Sequence, residues 1–351
     1  MVTQKDIALV VGIDRSMVAH ALRGDSRVSE ETRLRVVEVA QEMGYDAFSN
    51  GAARSMIARR YGKRAKTGTI AILMGDYFEG QLLEDMSFFR ELIEGFRIGA
   101  AATDVEMLFC SSSPRPGTLP RVLTKGNVDG ALAVHLGEIN ASLRLHELAI
   151  PVLCVGDAAP GEAAILVENQ KGIADATRHL IEMGHRKIAY VGDLPLSNNP
   201  DQSYRERLAG YESAMKSAGL EIDAKLLVTD IGSPTKNAGA HGFDELQKRG
   251  AEFSAVVCFN DQSALGLIER AQERGLRVPD DLSVTGFDGG METFGDGQTL
   301  TSARYDRVLM GKRCIELLCR VIDGAPKPIE VIPVELRAGD STRERKPSSA
   351  R

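Results

Sequence analysis

The sequence predicts a small all-α head joined through a basic linker to a two-lobed α/β body with parallel, doubly wound sheets. Three observations predict it. Residues 2–45 contain three short runs with apolar residues at helical spacing. From Thr67 onward, continuous Val/Ile/Leu runs alternate with amphipathic stretches, the pattern of strands buried on both faces by covering helices. The charge also changes sign along the chain. Residues 1–66 hold 12 basic against 8 acidic residues and the remainder 31 against 41, so a head of +4 precedes a body of −10.

In the head, Ile7, Ala8 and Val11 give the first helix (about 4–11) an apolar face, and Gly12 supplies the backbone freedom for a tight turn. Asp14 caps a second helix that buries Val18, Ala21 and Leu22 and stops at Gly24. Ser29 caps a third, Glu30 and Glu31 sit at its positive end, Val36, Val39, Ala40 and Met43 form its stripe, and Gly44 closes it. Arg15, Ser16 and His20 remain on the outer face of the second helix. A helix entering the major groove reads base edges with its first residues, and a guanidinium suits the acceptors of guanine. The plainer reading of the same pattern is a three-helix bundle with a solvated face. Residues 46–66 carry Arg54, Arg59, Arg60, Lys63, Arg64 and Lys66, and no acid occurs from Ala47 to Gly75. A basic head on an acidic body suits a polyanion that meets the head alone.

In the body, strands are expected at 69–75, 105–110, 130–136, 151–156 and 163–169, then at 187–193, 225–230, 255–260, 282–288 and 330–336. Helices are expected at about 88–103, 139–149, 170–183, 204–218, 235–249, 261–275 and 305–323. Two sheets, each fed by both halves of the chain, then flank a cleft. Ligands of open α/β sheets sit beyond the carboxyl ends of the strands. There the sequence places Asp76, His135, Asp157, Glu168, Asp193, Asn260, Asp261 and Asp288. Carboxylates and amides near aromatic rings such as Phe88 and Phe89 suit a polyol, whose hydroxyls both donate and accept. Each is also a residue type that caps or turns a strand end.

Several classes are disfavoured. There is no GxSxG, HExxH or GxGxxG, and Gly311-Lys312 lacks the earlier glycine of a phosphate loop, since Asp306 stands there. A catalytic set, a cofactor and a metal site are therefore not expected. His179 and His185 are read as packing or capping residues. The five cysteines, an odd number without a CxxC pair, read as reduced thiols in a reducing compartment. The N-terminus has no signal-peptide layout and no apolar run is long enough to span a bilayer, so a cytoplasmic protein without a membrane partner is expected.

The head sequence "VTQKDIALVVGIDRSMVAHALRG…VSEETRLRVVEVAQEMGY" resembles the LacI/GalR family of bacterial transcription regulators, whose pattern is close to KDIAxxxGVSxxTVSxxL…VSxxTRxxVxxxxxxxGY. Lys5, Asp6, Ile7, Ala8, Gly12, Val18, Leu22, Val28, Ser29, Thr32, Arg33, Val36, Gly44 and Tyr45 carry the likeness; Asp14, Met17 and Ala19 depart from it. It extends through "VDGALAV", "HLIEMGHRKIAYVGD", "RLAGYESAMKSAGL" and "AVVCFNDQSALGLIERAQERGLRVPDDLSVTGFD". Residues 76–87 lengthen a loop, 289–306 lack the family's Leu-Thr-Thr-Val, and no Pro-Asn follows Tyr45.

The resemblance implies a helix-turn-helix domain (1–48), a hinge helix or linker (49–66) and a periplasmic-binding-protein-like, effector-binding and dimerisation domain (67–343). The segment after Arg337 reads as disordered, with 344–351 as the tail. It implies base contacts from Arg15, Ser16 and His20, phosphate contacts from Thr3, Ser29, Thr32 and Arg33, and a minor-groove hinge at Asn50, Arg54 and Met56. The implied effector set is Asp76, Phe88, His135, Glu168, Arg207, Asn260 and Asp288. The implied partners are operator DNA, a small effector (a sugar or sugar derivative first, a nucleobase second) and a second copy of the chain. The implied function is a ligand-responsive DNA-binding regulator, a repressor of carbohydrate-utilisation genes. A soluble sugar-binding protein without a regulatory role is the alternative that the body alone would allow.

Overall fold

The computed structural model describes residues 2–22, 25, 27–43, 45, 66–74, 87–110, 120–124, 127–134, 148–193, 202–232, 235–290 and 293–345. The chain divides into two compact units, Met1–Thr69 with Asn127–Asp129, and Ile70–Gly126 with Gly130–Arg351.

The first unit holds α1 (Gln4–Val11), α2 (Arg15–Leu22) and α3 (Glu30–Glu42). Ile7, Ala8, Val18, Ala21, Leu22, Val28, Val36, Val37 and Ala40 form its core, removing apolar surface from water. Val11, Val39 and Met43 pack only half-buried against it, and Val37 takes the inward place. Gly12, at φ +75, donates to the Ala8 carbonyl and ends α1. Asp14 Oδ1 accepts the Ser16 N–H at 2.6 Å and Ser29 Oγ the Thr32 N–H at 3.2 Å, so both expected caps form.

The second unit contains, in order, β1 (Thr69–Met74), α4 (Ser87–Thr103), β2 (Glu106–Cys110), the single turn α5 (Arg121–Thr124), β3 (Gly130–Val134), β4 (Val152–Val155), β5 (Ala163–Val167) and α6 (Asn169–Glu182). There follow β6 (Ile188–Val191), α7 (Gln202–Ser217), β7 (Leu227–Val228), α8 (Lys236–Lys248), β8 (Ala255–Cys258), α9 (Asp261–Glu273) and β9 (Ser283–Asp288). A small hairpin, β10 (Thr293–Phe294) with β11 (Gln298–Thr299), precedes β12 (Thr301–Arg304), α10 (Arg307–Ile322), β13 (Ile329–Ile332) and β14 (Glu335–Arg337). One six-stranded sheet has the order β2-β1-β3-β4-β5-β13, the other β7-β6-β8-β9-β12-β14. Strands β3, β4, β6 and β8 are buried along their whole length, which is why they read as unbroken apolar runs.

The chain passes between the sheets three times, from β5 to α6, from β12 to α10 and from β13 to β14. The expectation that both sheets draw on both halves of the chain holds for the first alone; every strand of the second follows residue 187. The stretch expected as one strand at 330–336 is two. Pro333 has no N–H to give a ladder. Ile329–Ile332 runs parallel to β5, and Glu335–Arg337 pairs antiparallel with β12 in the other sheet.

Three further expectations need correction. The strand at 225–230 shrinks to β7, because Asp223 accepts the Lys225 N–H at 2.9 Å and starts a 3-10 turn over Ala224–Leu226. No strand was expected at 301–304, whose Thr-Ser looks polar; those hydroxyls are buried and bonded, Ser302 Oγ to Asp261 Oδ1 at 2.6 Å and Thr301 Oγ1 with Thr342 Oγ1 at 2.9 Å. Residues 338–345 are also placed rather than disordered. Ser341 Oγ donates to the Val284 carbonyl at 2.6 Å and accepts the Thr301 N–H at 2.8 Å, and the Arg345 N–H reaches the Met183 carbonyl at 2.8 Å. The helix expected at 139–149 lies almost wholly outside the described residues. Helices α4 and α10 approach so closely that a Cβ at Gly311 would stand 2.3 Å from the Leu92 carbonyl oxygen.

Candidate functional site

Two sites carry the chemistry. On the head, Arg15 and Ser16 are exposed on the first turn of α2. Asp14 is spent on capping, and the Ser16 hydrogen bonds hold its carboxyl below the usual range. His20 stands one turn on, its side chain 25 % exposed, with Nδ1 3.0 Å from Asp25 Oδ2. Arg27 grips the same carboxylate through Nε at 3.0 Å and Nη2 at 2.6 Å, and those bonds hold Asp25 far below the carboxylate range. Asp25 therefore stays ionised and orients the imidazole through Nδ1. Arg33 donates to the carbonyls of Val28 at 2.8 Å and Asp25 at 3.1 Å, bracing the turn between α2 and α3. Thr3 donates through N–H and hydroxyl to Asp6 Oδ2, both at 2.7 Å, and the Ser29 hydroxyl donates to Thr32 Oγ1 at 2.8 Å.

In the body, the carboxyl ends of the strands face one another across the cleft, and Arg207 from α7 is at its centre, 6 % exposed. Its Cζ lies 4.4 Å from the Phe259 ring centroid and 3.8 Å from that of Phe287. Its Nε donates to Asn169 Oδ1 at 2.9 Å, Nη1 to the Phe259 carbonyl at 2.8 Å and Nη2 to Asp288 Oδ1 at 3.2 Å. Asp288 has φ +105, a costly state for a residue with a Cβ. Burial pushes its carboxyl up, against the opposing pull of the Arg207 and Arg307 charges. Arg307, 3 % exposed at the start of α10, donates Nη1 to the Asp288 carbonyl at 3.1 Å and Nε to Glu91 Oε2 at 3.0 Å. Arg307 thereby ties a helix packed on the first sheet to the last strand residue of β9 in the second. A cavity of about 20 Å³ is left between Leu92, Val155, Asn169, Ser203, Arg207 and Arg307. The Tyr204 ring stacks on Phe259 at 4.4 Å beside it.

The comparisons decide what this pairing of a helical head with a cleft belongs to. Residues 3–47 match the family model described as bacterial regulatory proteins, lacI family, and residues 177–342 match the periplasmic binding protein-like domain. The chain belongs to the LacI family. It is a DNA-binding transcriptional regulator with an effector-binding body. It is 28 % identical over 349 residues to the transcriptional regulator RegA of Clostridium saccharobutylicum, covering 96 % of this chain and 98 % of that one. To the regulator GalR of Escherichia coli K12 it is 26 % identical over 334 residues, 93 % and 91 % of the two chains. The solved complex of the transcriptional regulator CelR with cellobiose superposes with a TM-score of 0.69 at 25 % identity, covering 97 % of this chain and all of that one.

Set beside this LacI-family frame, the residues expected at the effector site divide. Arg207 and Asp288 are brought into direct contact. Asn260 caps α9, its Oδ1 accepting the Ser263 N–H at 2.9 Å. Glu168 accepts the Val334 N–H at 3.1 Å, so its carboxylate ties the first crossover to the third instead of lining the small cavity. Asp76, His135, Asn50, Arg54 and Met56 lie outside the described residues, as does the side chain of Phe88.

Asn169, Ser203, Arg307 and Glu91 were missed. The strand-end rule stopped one residue short at Glu168. For Arg307 it had no strand to follow, because β12 was not recognised; read from β12, the same rule points to residues 305–307. His179 and His185 pack as expected, on Thr342 Oγ1 at 3.0 Å and between Ser254 Oγ and the Arg343 carbonyl; burial lowers both imidazoles. Cys154, Cys258 and Cys314 are buried free thiols, and burial pushes Cys154 up to about 12. Among the described residues no helix is long and apolar enough to cross a membrane.

Proposed function

We propose that this regulator reads a pseudo-palindromic operator as a homodimer in the cytoplasm and that a carbohydrate held in the cleft changes its operator affinity. The head (1–48) presents Arg15, Ser16 and His20 to base edges in the major groove, with Thr3, Ser29 and Thr32 facing phosphates. Arg33 supports that surface by bracing the 25–28 turn. Asn50, Arg54 and Met56 of the linker meet the minor groove, with Met56 as the apolar wedge. The observation that carries the effector reading is Arg207, sandwiched between Phe259 and Phe287 and hydrogen-bonded to both Asn169 and Asp288. Polar groups that donate and accept beside aromatic faces are what a polyol requires.

A ligand shifts DNA binding only by its differential affinity for the two body states, typically about 1–3 kcal/mol of coupling. The test is a thermal-shift screen of the purified chain against cellobiose, ribose and purines, followed by titration of operator duplexes recovered by selection from a random library. A sugar that raises the melting temperature and alters duplex affinity supports the reading. Stabilisation by purines alone would replace the carbohydrate, and salt-insensitive duplex binding would remove the DNA contacts.

A further inference from the structure

The stretch of chain immediately before β1 is gripped by one buried carboxylate. Asp129, 7 % exposed, stands directly before β3. Its two oxygens lie 2.6 and 2.7 Å from the Thr67 amide nitrogen, and its Oδ2 lies 2.8 Å from that of Gly68. Its own N–H donates to the Thr69 carbonyl at 2.8 Å. Gly68 sits at φ +68, a turn that favours glycine, and the Thr67 hydroxyl accepts the Thr69 N–H at 3.1 Å. Successive backbone N–H groups converging on one anion form a tight cradle, and hydrogen bonds to an ionised acceptor are the strong ones. Strand pairing does not need this grip, since the β1–β3 ladder is complete from Ile70 and Gly130 onward. What the grip holds is Thr67 and Gly68, the first residues after the basic linker.

The strand that follows Asp129 is fixed in turn. A Cβ on Gly130 would stand 2.9 Å from Ile322 Cδ1 and 3.0 Å from Leu318 Cδ1, on the last turns of α10. The same helix begins at Arg307, which lines the cleft cavity. Its 16 residues make a rod about 24 Å long. One rigid element therefore has its first residue at the cavity and its last against the residue next to the grip.

We propose that Asp129 is the positioning residue that fixes where the linker leaves the body, and that it thereby sets how the paired heads are spaced on an operator. This rests on the dimeric, palindrome-reading function proposed above.

The test uses the full chain and Asp129→Asn, which keeps the shape and one acceptor but loses the charge and the second acceptor. Trypsin cleaves after Arg54, Arg59, Arg60, Lys63, Arg64 or Lys66, and of these only the last cut needs the Thr67 amide itself to leave its carboxylate. In wild type, intact mass should show body fragments beginning mainly at Ala65. Asp129→Asn should raise the ratio of fragments beginning at Thr67 by about tenfold or more. The variant should also bind a selected palindromic duplex about tenfold more weakly while binding a single half-site as wild type does. A merely structural residue would lower the melting temperature and leave the fragment ratio and the palindrome preference unchanged.

An unchanged fragment ratio overturns the grip. A raised ratio with an unchanged palindrome preference overturns its role in head spacing. A wild type that does not prefer the palindrome would sink the dimeric reading and the spacing role with it, and the fragment ratio would still decide the grip.

Discussion

Arg207→Ala tests the centre of the cleft. The wild-type guanidinium is almost fully buried, makes three hydrogen bonds and lies between two phenyl rings. Its removal leaves the Asp288 carboxylate without the partner at 3.2 Å and the Asn169 side chain without its donor. Breaking a buried pair from one side costs about 3–5 kcal/mol, and the lost ring contacts add about 1–2 kcal/mol. Against a domain stability of about 5–15 kcal/mol this is a large fraction of the total.

The loss should depend on pH. Burial raises the folded Asp288 carboxyl above its ordinary 3.8. The folded state therefore holds that proton more tightly, and this contribution to stability is fully present below 3.8 and is lost as pH rises through the folded value. Without Arg207, whose charge pulls the carboxyl down, that loss grows and extends to higher pH. The variant should thus lie closer to wild type at pH 5 than at pH 7, and adding Asp288→Asn should restore about 2 kcal/mol by removing the stranded charge. Urea unfolding followed by far-UV circular dichroism is the assay, since the chain has no tryptophan. An equal loss at both pH values, with no rescue by Asp288→Asn, would refute the buried-pair argument. In the same variant the response of duplex binding to the effector should vanish; a retained response would move the effector site elsewhere.

Arg15→Ala should cost about 1–3 kcal/mol in duplex binding and relax preference at one base position in a selection experiment; a uniform loss over all sequences would make it a phosphate contact. Asp25→Asn removes the carboxylate that orients His20 and holds Arg27, so operator affinity should fall by about 1–2 kcal/mol, read by fluorescence anisotropy, and an unchanged affinity would show that His20 needs no such support. Ser302→Ala leaves Asp261 without its 2.6 Å donor and should lower the urea midpoint by an amount equivalent to about 1–3 kcal/mol. Gly311→Ala forces α4 and α10 apart, because the new methyl would meet the Leu92 carbonyl at 2.3 Å; about 1–3 kcal/mol of destabilisation should follow in the same assay, and near-neutrality would mean that the pair slides freely.

Much of this was legible without coordinates. The caps at Asp14 and Ser29 showed because a side-chain acceptor directly before an apolar helical pattern has one economical use. The central strands showed because both faces are buried and every residue must be apolar. β12 did not, because Thr301 and Ser302 are buried polar residues whose partners, Asp261, Ser341 and Thr342, lie about forty positions away. Pro333 was visible, yet that it divides one apolar stretch between two sheets was not. Of the cleft, Asp288 was legible from its place at a strand end and Arg207 from the resemblance, whereas Arg307 and Asn169 needed the crossovers to be drawn correctly.

The sequence by itself determined the three-helix head, the alternating body, the opposite charges of the two parts and the family to which they belong, because these depend on local periodicity, capping chemistry and composition. The tertiary structure alone decided that Asp25 is committed to His20 and Arg27, that Glu168 ties a crossover, that Arg307 joins Asp288 in the cleft and that Asp129 accepts from the Thr67 and Gly68 amides. Each is a hydrogen bond whose partner is chosen by proximity in space, and a carboxylate in a sequence does not carry the address of the group that it will meet.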